Sequence, residues 1–330
     1  MIDDKSLVTR FQAELHDVAL GVKLEPVVCG WVRKAGLSLW VRRDDLIDPA
    51  QSGNKFYKLF YNLKAARLAG ASELVSYGGP WSNHLYALAA AARECGIPAR
   101  GIVRGEQPLS LSLMLNDVQS LGMQLQFVSR SDYRHYTHGG TNVQGVDNSI
   151  YSIPEGGANL LGAAGMMAVG WALRQQIDGD FQTCIACGTG TSLAGVATGL
   201  GAGQRVLGFS VLKGAGSLGV QIHDSVMSLE GILPDSTKGA PAAGWALISG
   251  FHGGGYGRAP GVGLYQFWQD FEQETGMLLD PVYTLKLFWG IYCLAQQGYW
   301  PRGTRLVAIH TGGLQGRRGF VCPEGPLTNS

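Results

Sequence analysis

Thr183-Cys184-Ile185-Ala186-Cys187-Gly188-Thr189-Gly190-Thr191-Ser192, continuing into Leu193-Ala194-Gly195-Val196-Ala197-Thr198-Gly199-Leu200, decides the fold. A strand-like apolar run enters a glycine-hydroxyl loop, and a helix of small residues leaves it. Such a junction belongs at the carboxyl end of a parallel strand, where helix-start amides face a crevice. The alternation recurs on both sides. Upstream, Phe56, Leu59, Phe60, Leu63 and Ala66 have helical spacing, and Gly70 ends that helix. Strand Leu74–Tyr77, a helix from Ser82 or Asn83 to Cys95, strand Gly101–Val103, a helix near 111–121 and strand Gln124–Val128 follow. After strand Tyr151–Ile153, a Gly156-Gly157 turn precedes a helix from Asn159 to Ile177. Downstream come strand Arg205–Leu212, helices near 263–275 and 282–297, and a last strand Leu306–Ile309. This rhythm predicts an α/β protein with open, twisted parallel sheets and helices on both faces. The polar stretch 129–148, with His135 and His138, reads as a solvated loop or lid. Residues 214–262 are glycine-rich and give no pattern.

Composition narrows the function classes. The chain has 330 residues, of which 45% are hydrophobic, enough for a sizeable core. Its 49 glycines are about twice the usual ~7% share, without the period of collagen. The net charge of +1 gives no reason to expect a polyanionic partner. One basic-aromatic patch, Arg130, Tyr133, Arg134 and Tyr136, is too short for a nucleic-acid surface. The most apolar stretch, Leu160–Leu173, is too short to span a bilayer. No apolar signal core follows the acidic start Met1-Ile2-Asp3-Asp4-Lys5, so the expectation is a cytoplasmic protein with neither membrane nor nucleic-acid partners. Cys184 and Cys187 form a CxxC but lack two further ligands, and they read as buried structural cysteines.

Three constellations carry chemistry. In Gly188-Thr189-Gly190-Thr191-Ser192 the glycines admit an anion to the backbone and the hydroxyls add donors. Without a lysine or a third glycine it is neither a Walker loop nor a dinucleotide fingerprint, and it suits one monoester phosphate. Ser52-Gly53-Asn54-Lys55 places a lysine behind a glycine turn, where desolvation frees its amine as a nucleophile. Ser82-Asn83-His84 is a polar helix start after Gly78-Gly79-Pro80-Trp81. An amine, a phosphate cradle and a polar helix start together are the parts needed to hold pyridoxal 5'-phosphate.

At these residues the chain resembles a known family. Gly53-Asn54-Lys55-x-x-Lys58-Leu59, Ser82-Asn83-His84, Ile153-Pro154-x-Gly156-Gly157, Tyr256-Gly257, Asp280-Pro281-Val282-Tyr283-Thr284 and His310-Thr311-Gly312-Gly313 are similar to motifs of the D-cysteine desulfhydrase and 1-aminocyclopropane-1-carboxylate (ACC) deaminase family. These are pyridoxal-phosphate enzymes of the tryptophan-synthase-β fold, also called fold type II, and the resemblance spans about Leu39 to Phe320. It implies a homodimer and two parallel-sheet domains with the cofactor in the cleft between them. Residues 62–165 would form a small inserted domain, and 1–61 with 166–330 the large one. Lys55 would bond the cofactor and later move the substrate's α-proton. Asn83 would meet the ring hydroxyl, and Gly188, Thr189, Gly190, Thr191 and Ser192 the phosphate. Thr311, or else Thr284, would face the ring nitrogen. Ser82, Asn83 and His84 would receive the substrate carboxylate at a helix N-terminus. Tyr283 would lie against the cofactor or the substrate's reacting carbon, Tyr256 would line the pocket, and Trp81 would shape it.

Within that family, ACC deaminases carry glutamate after the tyrosine of Asp-Pro-Val-Tyr, whereas this chain has Thr284, as in D-cysteine desulfhydrases. The expected reaction is therefore β-elimination from a small amino acid, D-cysteine first, giving pyruvate, ammonia and hydrogen sulfide. ACC opening, or a lyase or racemase reaction on a larger amino acid, is the alternative. Ser52, Phe56-Tyr57, Trp81 and Leu85-Tyr86 depart from the family pattern, and shape changes next to a carboxylate site shift binding by ~1–3 kcal/mol per methylene-sized group.

Overall fold

Strand and helix alternate through two sheets in the computed structural model, which describes residues 3–137, 149–214, 216–233, 242–255 and 257–320. The strands are β1 (Leu24–Pro26), β2 (Ser38–Arg42), β3 (Glu73–Gly78), β4 (Ala99–Arg104), β5 (Gln124–Val128), β6 (Ile150–Ile153), β7 (Gln182–Cys187), β8 (Arg205–Ser210), β9 (Gly244–Ile248) and β10 (Arg305–Ile309). The helices are α1 (Asp4–Leu20), α2 (Gly30–Ala35), α3 (Asn54–Leu68), α4 (Asn83–Cys95), α5 (Leu113–Ser120), α6 (Arg130–Thr137), α7 (Leu160–Gln176), α8 (Thr191–Leu200), α9 (Leu218–Ile232), α10 (Val262–Thr275) and α11 (Thr284–Gln296). One sheet runs β1-β2-β10-β7-β8-β9 and the other β5-β4-β3-β6. All pairings are parallel except β1 with β2.

In the six-stranded sheet the connections run outward from β7 through β8 to β9, while β10 returns to the other side of β7. That reversal leaves a crevice at the strands' carboxyl ends, between β10 and β7. Alternation along β7 sends its two cysteines to opposite faces of the sheet. Cys184 packs with Leu39, Leu207 and Phe288, and Cys187 with Leu193, Val307 and Ile309. Burial pushes the Cys187 thiol up to about 12, which makes it inert packing, as the sequence indicates.

Helix α3 serves both sheets. Its Tyr57 and Tyr61 join the core beneath α1, α7 and α8, while Leu59 and Ala66 join the core of the four-stranded sheet. The expected domain boundaries at 61/62 and 165/166 fall inside α3 and α7, with β3 to β6 between them.

Two stretches differ from the sequence reading. Arg130–Thr137 is helix α6, where a loop was expected, because Tyr133 buries against Val75, Tyr77 and Ile102. The unpatterned region contains α9 and β9, the latter completing the sheet edge beside β8. Residues 138–148, with His138, and Tyr256 lie outside the described residues.

Small residues in α7 and α8 let these helices approach backbone to backbone. A Cβ at Gly195 would lie 2.2 Å from the Ala163 carbonyl oxygen, one at Gly199 2.0 Å from that of Met167, and one at Gly165 1.9 Å from that of Tyr57. Glycine to alanine inside a helix ordinarily gains ~1 kcal/mol. At Gly165 the overlap reverses that sign, and Gly165→Ala is expected to destabilise by ~1–3 kcal/mol in urea unfolding. A rise in the midpoint would show that α3 and α7 are not held at this separation.

Candidate active site

The site assembles at the carboxyl ends of strands from both sheets. At the end of β2, Arg42 is wholly buried, bonded through Nε to Asp44 at 3.1 Å and through Nη2 to the Tyr57 hydroxyl at 3.2 Å and the Ala19 carbonyl at 2.6 Å. Tyr57 in turn donates to Asp44 at 2.7 Å. Asp44 accepts the Gly53 amide through its carbonyl at 2.9 Å, and the Thr311 carbonyl after β10 accepts the Asn54 amide at 3.3 Å. Gly53 has φ +69°, and a Cβ there would lie 1.9 Å from the Thr311 oxygen. Only glycine fits, and the next turn of α3 points Lys55 into the crevice.

The crevice holds a cavity of about 300 Å³, at the small end of ligand sites, which run to ~1,000 Å³. Lys55, Ser82, Asn83, His84, Gly188, Thr189, Gly190, Ser192 and Tyr283 all line it, so the structure brings together most of the expected set. Burial lowers the Lys55 amine to about 8, partly opposed by the Asp280 carboxylate. Its Nζ donates to Asn54 Oδ1 at 3.0 Å and lies 6.0 Å from the centre of the Tyr283 ring. Asn54 Nδ2 donates to Ser192 Oγ at 3.0 Å, tying the lysine's base to the glycine loop. That loop opens α8 at Gly190, which has φ +82°.

Ser82 caps α4 by accepting the Leu85 amide at 3.2 Å. His84 sits in the first turn of α4, 2% exposed, with Nε2 2.9 Å from Ser76 Oγ. The Ser76 hydroxyl spends its own hydrogen on the Ile153 carbonyl at 2.7 Å, so Nε2 must be the donor to it. Nδ1 is then a bare acceptor, buried and unpartnered. Burial, and after it the Lys55 and Lys58 charges, push His84 well below its ordinary range and keep the ring neutral.

Other expected residues lie elsewhere. Thr284 is fully buried, accepts the Asp280 amide at 2.7 Å and closes the turn into α11, so its hydroxyl does not line the cavity. Trp81 packs its indole on Gly319 instead of facing the cavity. Thr191 turns to Thr189 at 3.0 Å and lines an adjoining cleft. Thr311 borders a small recess shared with Lys55, Asn83 and Tyr283.

Sequence reasoning passed over Asn54, Lys58, Arg104 and Asp280 as site residues. Lys58 lines the cavity one helical turn after Lys55, a spacing that the helix period could have revealed. Its Nζ donates to the Gly156 carbonyl at 3.2 Å, and burial with the Lys55 charge lowers it well below the usual lysine range. Asp280 accepts the Tyr283 and Val282 amides at 2.6 and 3.1 Å. Burial nevertheless raises its carboxyl to about 7. Arg104 reaches the mouth from the end of β4, which no local motif signals.

A buried amine, an anion-accepting loop and a capped helix start at a sheet's switch point define a pyridoxal-phosphate enzyme. The family model for pyridoxal-phosphate dependent enzymes matches residues 30–312, and the chain belongs to that family. Among named relatives, it is 29% identical to the bifunctional D-cysteine desulfhydrase/1-aminocyclopropane-1-carboxylate deaminase of Arabidopsis thaliana, over 85% of this chain and 73% of that one. It is 26% identical to the D-cysteine desulfhydrase of Klebsiella pneumoniae, over 84% and 87%. The crystal structure of an ACC deaminase homologue superposes with a TM-score of 0.72 at 25% identity, covering 89% of this chain and 90% of that one. Threonine deaminase from Solanum lycopersicum, at 14% identity and a TM-score of 0.61, shares the fold.

The residues present fit the cofactor. Besides the Lys55 amine and the glycine loop, the Asn83 carboxamide oxygen and His84 Nδ1 are buried polar atoms without partners, both on side chains that line the cavity. Such atoms cost about 1–3 kcal/mol each unless a bound group satisfies them.

Two predictions follow from the lysine and its turn. Below pH 8 the folded protein holds Lys55 increasingly as ammonium, which cannot attack an aldehyde. The rate at which apoprotein takes up pyridoxal phosphate, read by absorbance, should therefore rise about tenfold per pH unit toward pH 8 and level off above it. A flat profile from pH 6 to 9.5 would contradict a buried amine at this value. Gly53→Ala should cost at least ~1–3 kcal/mol in backbone strain and reduce the bound cofactor, checked by urea unfolding and cofactor absorbance.

Proposed function

We propose that the protein catalyses β-elimination from a small amino acid, with D-cysteine the first choice, to give pyruvate, ammonia and hydrogen sulfide. The observation that carries this is the buried Lys55 amine, held beside the Ser82-capped start of α4 in a cavity of about 300 Å³. When bound, pyridoxal phosphate supplies the electron sink that makes an α-proton removable. The amides of Gly188 to Ser192 would hold its phosphate at the α8 N-terminus, and Asn83 would orient its ring. Ser82, whose oxygen already accepts the Leu85 amide, has its hydroxyl hydrogen left to donate to the substrate carboxylate. The α4 amides add the positive end of the helix dipole there.

Lys55 takes the α-proton, and its lowered basicity near neutral pH matches that task. The Cβ–S bond breaks with its electron pair on sulfur, which leaves as hydrogen sulfide after taking up a proton. Water then hydrolyses the remaining imine to pyruvate and ammonia. The Tyr283 ring lies near both Lys55 and Gly188, where a Cβ on Gly188 would lie 3.3 Å from it, and would border the reacting carbon. Thr311 would contribute from the recess beside Lys55.

The Arabidopsis relative's two-part name keeps ACC opening as the second reading. Against it, position 284 offers a buried, internally bonded hydroxyl and no carboxylate. The reading also places the protein in the cytoplasm as a homodimer, with a small inserted domain at 62–165. Free thiols at Cys29, Cys95, Cys184, Cys187 and Cys293 agree with a reducing compartment, and among the described residues no helix is long and apolar enough to cross a membrane.

Cofactor-loaded protein is expected to release pyruvate from D-cysteine and little from L-cysteine, with no 2-oxobutyrate from ACC. Lys55→Ala should lose both turnover and the cofactor's lysine-bonded absorbance. Pyruvate from neither cysteine enantiomer would refute the substrate assignment, and full activity of Lys55→Ala would refute the role of the lysine.

A further inference from the structure

Beside the catalytic cavity lies a second chamber of about 410 Å³, lined by Arg104, Arg130, Tyr133, Arg134, Thr137 and Glu155. Arg104 and Glu155 also line the catalytic cavity, so the two spaces meet at that pair. The residues come from three places: Arg104 ends β4, Glu155 follows β6, and the others lie on α6. Three arginines and one glutamate line it, in a chain whose whole net charge is +1. Arg104 spans the junction. Its Nη2 lies 3.4 Å from where a Cβ on Gly79 would sit, and its guanidinium is 5.5 Å from the centre of the Tyr133 ring.

Arg42, Arg43, Arg100, Arg317 and Arg318 each hold a carboxylate within salt-bridge distance. Among the described residues no carboxylate pairs with Arg104 or Arg130. Arg134 Nε donates to the Arg130 carbonyl at 3.3 Å, within the same turn of α6. An arginine fork is matched to the paired oxygens of a carboxylate or similar oxyanion.

We propose that the amino-acid substrate carries a second anionic group beyond its β-carbon, and that Arg104 and Arg130 hold this group in the side chamber. The inference rests on the reading that Ser82 and the α4 start seat the α-carboxylate. It deepens that reading by extending the same β-elimination from D-cysteine to a longer amino acid whose leaving group ends in an oxyanion. Glu155 is the one carboxylate among the described residues that line the chamber, and a substrate with a distal ammonium is the rival that it would favour.

The test uses amine-free acids that cannot react. Isothermal titration of cofactor-loaded protein should show glutarate binding roughly five- to tenfold more tightly than butyrate, which has one carboxylate fewer. The rival is read with 4-aminobutyrate, whose distal group is cationic and which should bind no better than butyrate. Arg104→Gln and, separately, Arg130→Gln should bring glutarate toward the butyrate value, and Arg104→Lys should restore part of the preference. Equal binding of glutarate and butyrate, a preference for 4-aminobutyrate, or a glutarate preference that survives both glutamine variants would overturn the proposal. Turnover separates it from the reading beneath it. Both S-ethylcysteine and S-carboxymethylcysteine can lose a thiol by β-elimination. In the latter the Cβ–S bond breaks with its electron pair on sulfur, giving thioglycolate after proton uptake, and water hydrolyses the rest to pyruvate and ammonia. The charged compound should show the higher kcat/KM by a lower KM. Pyruvate from neither would refute the elimination reaction, while the glutarate comparison would still decide on the anion site.

Discussion

The turn at Gly53 has no room for a side chain, and the active site depends on that constraint. A Cβ there would lie 1.9 Å from the Thr311 oxygen and the Asn54 amide donates to that same oxygen, so the loop after β10 and the start of α3 are held backbone to backbone. The Gly53 amide is fixed from the other side by the Asp44 carbonyl, and the Asp44 side chain is locked between Arg42 and Tyr57. A buried arginine is costly unless its donors are satisfied, and here Asp44, Gln176, Ala19 and Tyr57 satisfy them. The same groups tie α1, β2, α3 and α7 together around the lysine's foundation.

That rigidity permits an unusual electrostatic arrangement. Lys55, Lys58 and His84 share one cavity, and each is lowered first by burial. Without a ligand, such groups give up charge in order to stay buried. An anionic phosphate and a carboxylate entering the cavity would reverse the balance, since each cation then gains a partner. Asp280 mirrors this on the acidic side, raised to about 7 while holding the Tyr283 amide in place. Its charge supports Lys55 and Lys286, the latter lowered to about 8 and bonded to the Gly255 carbonyl. The cavity thus holds nitrogens whose positive charge burial disfavours and an entering anion would favour.

Packing carries the geometry outward. Close contacts at Gly165, Gly195 and Gly199 seat α7 against α3 and α8, fixing the α8 N-terminus relative to the lysine helix. The glycine excess that composition alone shows is therefore spent on helix contacts as well as loops. At the mouth, helix α6 places the basic-aromatic patch of Arg130, Tyr133 and Arg134 beside Arg104. A segment that looks like an isolated surface patch along the chain becomes one wall of a chamber next to the catalytic cavity.

Local chemistry made much of this protein readable from its sequence. Glycine turns, the serine cap at Ser82 and apolar runs at β7 and β10 are dictated by neighbours in the chain, so the alternating elements and the residues Lys55, Ser82, Asn83 and Gly188 to Ser192 could be named without coordinates. Tertiary structure alone decided which side chains face the cavity. Thr284 turned into its own helix start, Trp81 packed on Gly319, and Arg104 came from a distant strand end to meet α6. Spacing along a chain specifies the direction of a side chain relative to its own element. Whether that direction meets solvent, core or cavity is set by elements far away in sequence, through close backbone contacts such as Gly53 on Thr311.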